Sequence, residues 1–297
     1  MRITQKIIFG NFMRDINKNR SEMGRLQSDL SSGRSVRIPS QDPVAFQRSR
    51  IIEENLRKEE QYQSNIDSGL RQSRLAQESL QETADRLIDI KTIVVQGASG
   101  SLNEKNRESM ADEIAGIRDS LVNTLNLSYG DRYLFAGTAS ADQPFEYDIA
   151  EPGGVANNGN NTTPQVLVGD GVKIDLSITG TELRDTDAGD LFEVIGNIEQ
   201  ALRDNDTQAL NNLLGDSDQI IEHIADVTSR LGSNINRMEF MYEQYESSSI
   251  VQQSDVSGMV DTDYAQAFSD LQRNQVAYEA AMAVHSTMFN NTLLNYL

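Results

Sequence analysis

The chain has 297 residues, with 26 Lys and Arg against 45 Asp and Glu and a formal net charge of −19, a balance that argues against a nucleic-acid backbone as partner. Cys and Trp are both absent, which excludes disulfides, thiolate metal sites and a Cys nucleophile. The length is ample for a buried core, but 6% aromatic content and a mean hydropathy of −0.49 point to extended helical layers with thin cores.

The first helix is predicted from the stripe Phe9, Met13, Ile16, Arg20, Met23, Gln27 and Leu30, widened by Phe12 and Leu26, which recurs at helical spacing. "LSSGRSVRIPSQDP" should end it, because Gly33, Pro39 and Pro43 interrupt the pattern. Asp42 before Pro43 is then a natural N-cap, with proline at the first helical position. A second helix is expected from Val44 to about Val95, its seam formed by Ile52, Leu56, Ile66, Leu70, Leu80, Ala84, Leu87 and Val94, a spacing that suggests coiled-coil-like packing. "QGASGSLNEKNR" turns the chain into a third helix, whose inner face carries Met110, Ile114, Ile117, Leu121 and Leu125.

After Tyr129 the period changes. In "VGDGVKIDLSITG", Val172, Ile174, Leu176 and Ile178 alternate with polar residues, as in a half-buried strand following a Gly-Asp-Gly turn. "PFEYDI" and "PQVLV" are further strand candidates, and "EPGGVANNGNNTTP" between them reads as a solvated loop. "ELRDTDAGD" reads as another loop, leading to Asp190 as the N-cap of "DLFEVIGNIEQALR". A longer helix then carries Ile220, Ile224, Val227, Leu231, Ile235, Met238, Tyr242 and Tyr245, and "SSSIVQQSDVSG" reads as a linker. The last helix starts near Thr262 or Asp263 and aligns Tyr264, Phe268, Leu271, Gln275, Tyr278, Met282, His285, Phe289, Thr292 and Tyr296.

Two terminal features stand out. The final segment places Met288, Phe289, Leu293, Leu294 and Tyr296 in an apolar helix with no polar tail, which asks for a covering partner. Residues 1–50 hold ten Lys and Arg against four acids, whereas from Asp255 onward Arg273 alone faces five acids. The two ends are therefore complementary in charge, although surface pairs contribute only ~0–1 kcal/mol each.

Catalytic signatures are lacking: no P-loop, dinucleotide-binding, HExxH, GxSxG or EF-hand pattern occurs. His223 and His285 sit within helical patterns and read as packing or surface residues. Asp185, Asp187 and Asp190 lack the terminal bidentate Glu of a calcium loop, and Glu53, Glu54, Glu59 and Glu60 read as a wet helix face interleaved with Arg57 and Lys58. We therefore expect no enzyme activity, no cofactor and no metal. The opening has no uninterrupted apolar stretch of the kind a cleaved signal needs, and no run reaches the ~18 residues of a membrane span.

"LSSGRSVRIPSQDPVA" at 30–45 resembles the amino-terminal signature of the bacterial flagellin family, through Leu30, Ser31, Ser32, Gly33, Arg37, Pro39, Asp42 and Pro43. "GDRYLFAGT" at 130–138, with Arg132, Tyr133, Phe135, Ala136 and Gly137, is similar to a motif of that family's hook-associated members, which join hook to filament. "MRIT", "VVQGASGSLN" and "LLNYL" support the match. The resemblance implies a mainly α fold with a small β-rich insertion. It also implies terminal helices that are loosely folded in the monomer and pair as a coiled coil only in the assembled axial tube.

The expected division is an amino-terminal arm at 1–45 pairing with a carboxyl-terminal arm at 255–297, a helical bundle from 46–137 and 187–250, and a β-rich insertion at 138–186. Ile3, Ile7, Met13, Ile16, Met23 and Leu30 with Phe268, Leu271, Tyr278, Met282, Phe289, Leu293 and Tyr296 would form the helix seams of an axial ring. The implied partners are further copies of the chain, a neighbouring hook-associated junction protein, flagellin, a cytoplasmic export chaperone and the flagellar type III export apparatus, with no nucleic acid and no membrane insertion. The implied location is the extracellular flagellum. Two alternatives are flagellin itself and a secreted coiled-coil effector or adhesin.

Overall fold

A computed structural model describes residues 2–100, 102–139 and 141–294. The chain is mainly α-helical, with long helices and a small β-rich region. In order it forms α1 (Arg2–Ser32), α2 (Pro43–Gly97), α3 (Glu104–Leu125), β1 (Ser128–Tyr129), β2 (Arg132–Tyr133), β3 (Phe145–Tyr147), a 3₁₀ turn at Pro152–Gly154, β4 (Val155–Asn157), β5 (Gln165–Leu167), β6 (Lys173–Asp175), α4 (Gly180–Arg184), β7 (Asp185–Thr186), β8 (Gly189–Asp190), α5 (Leu191–Arg203), α6 (Thr207–Val260) and α7 (Tyr264–Leu294). It divides into two compact units, one of residues 1–57 with 248–297 and one of residues 58–247.

The larger unit owns the main core. From α2 it takes Ile66, Leu70, Ala76, Leu80, Leu87, Ile90 and Val94, from α3 Ile114, Leu121 and Leu125, and from α6 Ile220, Ile224, Val227, Leu231, Ile235 and Met238. These residues are buried because their 3–4 spacing keeps one stripe of each helix pointing inward. Tyr245 packs inward as expected, but Tyr242, also expected on the α6 stripe, is exposed and Met241 packs inward in its place. A straight helix drifts from a fixed seven-residue repeat by about 20° per heptad, enough to exchange neighbouring positions over this length.

Helix ends follow the local chemistry. Asp42 accepts from the N–H groups of Val44 and Ala45 at 3.0 and 2.9 Å and so caps α2. Asn103 caps α3, and Asp190 caps α5 by accepting from Phe192 and Glu193. Arg107, which is 3% exposed, closes the turn between α2 and α3. Its Nε donates to the Gly97 carbonyl at 2.8 Å, Nη1 to Leu102 O at 3.0 Å and Asn205 Oδ1 at 2.5 Å, and Nη2 to Ser99 O at 2.7 Å. One guanidinium thus ties together carbonyls from the end of α2 and from the turn.

The β-rich region consists of four separate antiparallel ladders, β1–β2, β3–β4, β5–β6 and β7–β8. It begins earlier than expected, with a hairpin at 128–133, and continues into the β7–β8 hairpin where "ELRDTDAGD" suggested only loop. The strand expected over 172–178 is paired only at Lys173–Asp175, opposite Gln165–Leu167. A backbone bond flanks that ladder on each side, Val168 N donating to Val172 O and Leu176 N to Pro164 O, both at 2.9 Å, and side chains add to it: Asn65 donates to Leu167 O, Ser73 to Leu176 O, Asn234 to Asp175 O and Tyr245 to Val168 O. Part of "EPGGVANNGNNTTP" is β4 and its preceding turn, where Val155 is fully buried and pairs with Tyr147. Sequence reasoning missed this because one apolar residue among Gly and Asn leaves no periodic signal.

The motif at 132–137 is structural within this region. Leu134, Phe135 and Ala136 are completely buried. The Phe135 carbonyl accepts from Gly180 N at 2.7 Å and that of Ala136 from Asn160 N at 3.1 Å. Gly137 adopts φ +69°, and a Cβ there would lie 2.3 Å from Asn160 Oδ1, so the motif's glycine is required both by its backbone and by its neighbour. Phe145 and Phe192, with ring centroids 5.8 Å apart, fill the adjoining space.

"SSSIVQQSDVSG" is not a linker, since α6 continues through it to Val260. Ser and Gly lower helix propensity by under ~1 kcal/mol per residue, whereas ending the helix there would require a second costly nucleation. Glu53 is likewise not a wet residue: it accepts from Arg34 at 3.3 Å and Arg50 at 3.1 Å.

Candidate assembly interface

In the smaller unit α1 packs on α7. Leu26, Ala267 and Leu271 form its buried cluster, with Met23 and Leu30 packed against it. Ile16 is also buried. The pair is antiparallel, because Asn19 Nδ2 donates to Asn274 O at 3.3 Å while Phe12, earlier in α1, stacks on His285, later in α7, at 4.3 Å between ring centroids. His223, the second histidine, lies in the other unit with Nε2 2.8 Å from Glu182 O.

The connector after α1 is tied into the start of α7. Gly33, at φ +73°, releases the chain from the helix, and a Cβ there would meet Tyr264 Oη at 2.8 Å. Ser35 N donates to Val260 O, and Thr262 N to Gly33 O, both at 2.8 Å. Asp29, 2% exposed, is the electrostatic centre: its carboxylate accepts from Arg37 at 3.0 Å and Arg25 at 3.3 Å. Burying that charge is tolerable only with such partners. Arg25 also donates to Glu22 and thereby holds the Glu22 carboxyl below its ordinary pKa. Of the motif residues in this stretch, Leu30 packs on the buried cluster, Arg37 holds Asp29 and Asp42 caps α2, whereas Ser31, Pro39 and Pro43 are exposed. Ser32 Oγ donates to the Ser28 carbonyl at 2.8 Å.

Among the described residues the expected charge complementarity between the ends produces no ion pair between the two arms. Arg25 pairs with Glu22 and Asp29, and Arg273 with Asp270, each within its own helix. Packing and the Asn19–Asn274 bond set the pairing instead.

The predicted seams are only partly buried between the two helices. Ile16, Met23 and Leu30 on α1, with Leu271 and Tyr278 on α7, turn inward to differing degrees. Ile7, Phe9, Met13, Phe268 and Met282 are exposed, as are Arg20 and Gln27 of the first stripe. The side chains of Ile3, Phe289 and Leu293, and all of Tyr296, lie outside the described residues.

The exposed apolar residues are not scattered. At 3.6 residues per turn, Phe9 and Met13 lie about a quarter-turn from the buried line of α1. Phe268 and Met282 are displaced from the buried line of α7 by a similar angle in the same rotational sense. In an antiparallel pair, equal rotation in the same sense brings both sets to one side. That side carries Phe9, Met13, Phe268 and Met282, whereas Ile7, Val276 and Val284 point elsewhere. Each sequence stripe is therefore centred between two surroundings, its inner edge packing helix on helix and its outer edge exposed, with Phe9 at the border, its ring centroid 5.8 Å from that of His285. Amphipathic spacing alone could not separate them.

Among the described residues no group of three or more His, Asp and Glu could hold a metal ion, and no helix is long and apolar enough to cross a membrane.

Residues 3–140 match the bacterial flagellin N-terminal helical region, and residues 214–297 match the bacterial flagellin C-terminal helical region. Over 97% of both chains the sequence is 24% identical to the flagellar hook-associated protein 3 of Escherichia coli. Flagellin of Bacillus subtilis is 23% identical over 96% of this chain and 95% of its own length. Among solved structures, a flagellar hook-associated protein from Vibrio parahaemolyticus superposes with a TM-score of 0.67 at 22% identity, covering 74% of this chain and 100% of that one. The flagellar junction protein of Legionella pneumophila gives 0.63 at 16% identity, over 72% of this chain and 100% of its own. On these matches, which together span most of its length, the chain belongs to the bacterial flagellin family.

Proposed function

We propose that the protein is a structural subunit of the bacterial flagellum that polymerises as a short axial ring through α1 and α7, joining a neighbouring hook-associated protein on the hook side to the flagellin filament. The observation that carries this reading is the apolar side of the α1/α7 pair. Phe9, Met13, Phe268 and Met282 are all at least 40% exposed, although large apolar side chains gain about 1.5–3 kcal/mol each on burial. A lone subunit leaves that gain unused; neighbouring copies and relatives with similar terminal helices would realise it. Ile3, Phe289, Leu293 and Tyr296 belong to the same proposed contact region, Ile7, on another side of α1, would meet a second neighbouring copy, and the segment at 30–43 is a further contact between subunits. The arms at 1–45 and 255–297 are the polymerising part, and the β-rich insertion at 138–186 takes no part in it.

Family membership supports the remaining partners: a cytoplasmic chaperone on the carboxyl-terminal helix, export through the flagellar type III apparatus, and a final extracellular position. Deleting the gene tests the role. Cells should keep their hooks, lack filaments and release flagellin into the medium. Restoring the gene with Phe9→Ser and Phe268→Ser should leave the phenotype uncorrected while the purified variant keeps its helical content. Normal filaments on the deletion strain would overturn the proposal.

The similarity to flagellin along nearly the whole chain favours one second reading, in which the protein is itself a filament subunit. Filament seeds decide between them. Unlimited growth from this protein alone would establish the filament role and defeat the junction role.

A further inference from the structure

The apolar side of the α1/α7 pair has a chemical property that its shape does not require. The chain has nine Met and no Cys, so thioethers are its only sulfur groups. Among the described methionines, Met13 and Met282 are the most exposed, at 40% and 47%. Met238 is fully buried, and Met23, Met110 and Met241 are packed against the two cores. The antiparallel pairing that sets Phe12 against His285 places Met13 and Met282 at the same level of the pair, and the helical rotation puts both on the side bearing Phe9 and Phe268.

We propose that Met13 and Met282 are paired oxidation sites through which peroxides block assembly on this face. The inference rests on the reading that other subunits cover it. In the reaction the thioether sulfur attacks one peroxide oxygen, the O–O bond breaks, and water leaves after proton transfer. The sulfur is oxidised to the sulfoxide by two electrons and the peroxide is reduced. The product replaces a flexible apolar group by a strongly polar S=O, and burying that group without a donor is unfavourable. Because neither thioether is needed to pair α1 with α7, oxidation leaves the subunit folded but closes its outer side. The unassembled protein is the sensitive form, since assembly would shield both sulfurs.

The test uses the full-length protein and hydrogen peroxide, with sulfoxides located by peptide mass spectrometry, association followed by sedimentation velocity, and fold by circular dichroism. Met13 and Met282 should gain oxygen before Met238, and the concentration needed for association should rise about tenfold with helicity retained. Met13→Leu with Met282→Leu should associate normally and ignore peroxide. Met13→Gln with Met282→Gln should behave as the oxidised protein without treatment. The proposal is overturned if oxidised protein associates unchanged, or if the Leu variant loses association to peroxide as wild type does. Should untreated wild type and Leu variant both stay monomeric at every concentration, the underlying reading of the face fails, and this inference with it.

Discussion

Replacing Arg107 by Ala removes a buried guanidinium that makes four hydrogen bonds, three to backbone carbonyls and one to the Asn205 side chain. Hydrogen bonds to a charged group contribute ~1.5–3 kcal/mol each, but the four cannot be summed, because the turn at 99–100 borders solvent and water will reach part of the vacated space. A loss of about 3–5 kcal/mol is the reasonable range, comparable to breaking other buried charged networks. For a unit of this size each 1 kcal/mol shifts the midpoint by ~2–4 °C, so thermal unfolding followed at the helical circular dichroism band should fall by roughly 6–20 °C. Arg107→Lys keeps the charge without the planar fork that reaches three carbonyls at once, and it should recover less than half of the loss. Amide exchange in Gly97–Leu102 should accelerate before that of the α3 core. If Arg107→Ala unfolds within about 1 kcal/mol of wild type, the turn is held by something other than this side chain.

Gly137→Ala should destabilise the β-rich region by more than ~1–2 kcal/mol, since the position has positive φ and no space beside Asn160; limited proteolysis within 138–186 would report it. Leu26→Ala should cost about 2–5 kcal/mol of the α1/α7 pairing and speed protease cleavage in both arms, leaving 58–247 resistant. Asp29→Asn removes the buried carboxylate that holds Arg25 and Arg37 and should open the 33–42 connector, read by amide exchange at Gly33 and Ser35. Tyr147 is half-exposed, yet partial burial and then its hydrogen bond to Asp119 raise its pKa to about 12, so it binds its proton more tightly folded than unfolded. Its contribution to stability is therefore full below pH ~10 and lost as pH rises toward about 12. Tyr147→Phe should abolish that part of the alkaline decline in denaturant titrations, and an identical decline in both proteins would refute the assignment.

Most of the helical framework could be read directly from sequence. The seam of α2 and the inner face of α3 were legible because long runs repeat one spacing, and the Asp42, Asp190 and Asp263 positions carry cap chemistry that is local by nature; Asp263 Oδ1 does accept from Gln266 N. Features that depend on contacts between distant parts of the sequence were hidden. Arg107 reads as one more basic residue in a polar turn until Asn205 and three carbonyls converge on it. The continuation of α6 through three serines looked like a break because propensity is a weak guide against an established helical ladder. The terminal stripes were found, but a stripe does not say which of its edges meets the partner helix. Only the antiparallel pairing separates Ile16, Leu26 and Leu271 from Phe9, Met13, Phe268 and Met282.

Among the described residues the four hairpins of the β-rich region share no strand, and the segments between them are tied together by bonds such as those of Gly180 N and Asn160 N to the Phe135 and Ala136 carbonyls. Damage or change at one tip therefore has no ladder along which to spread. The turn at 148–151, where Ile149 stands wholly in solvent, is thus a natural place to graft a foreign peptide or affinity tag for display. The same separation would let sequence change at one of these tips while the long helices stay fixed.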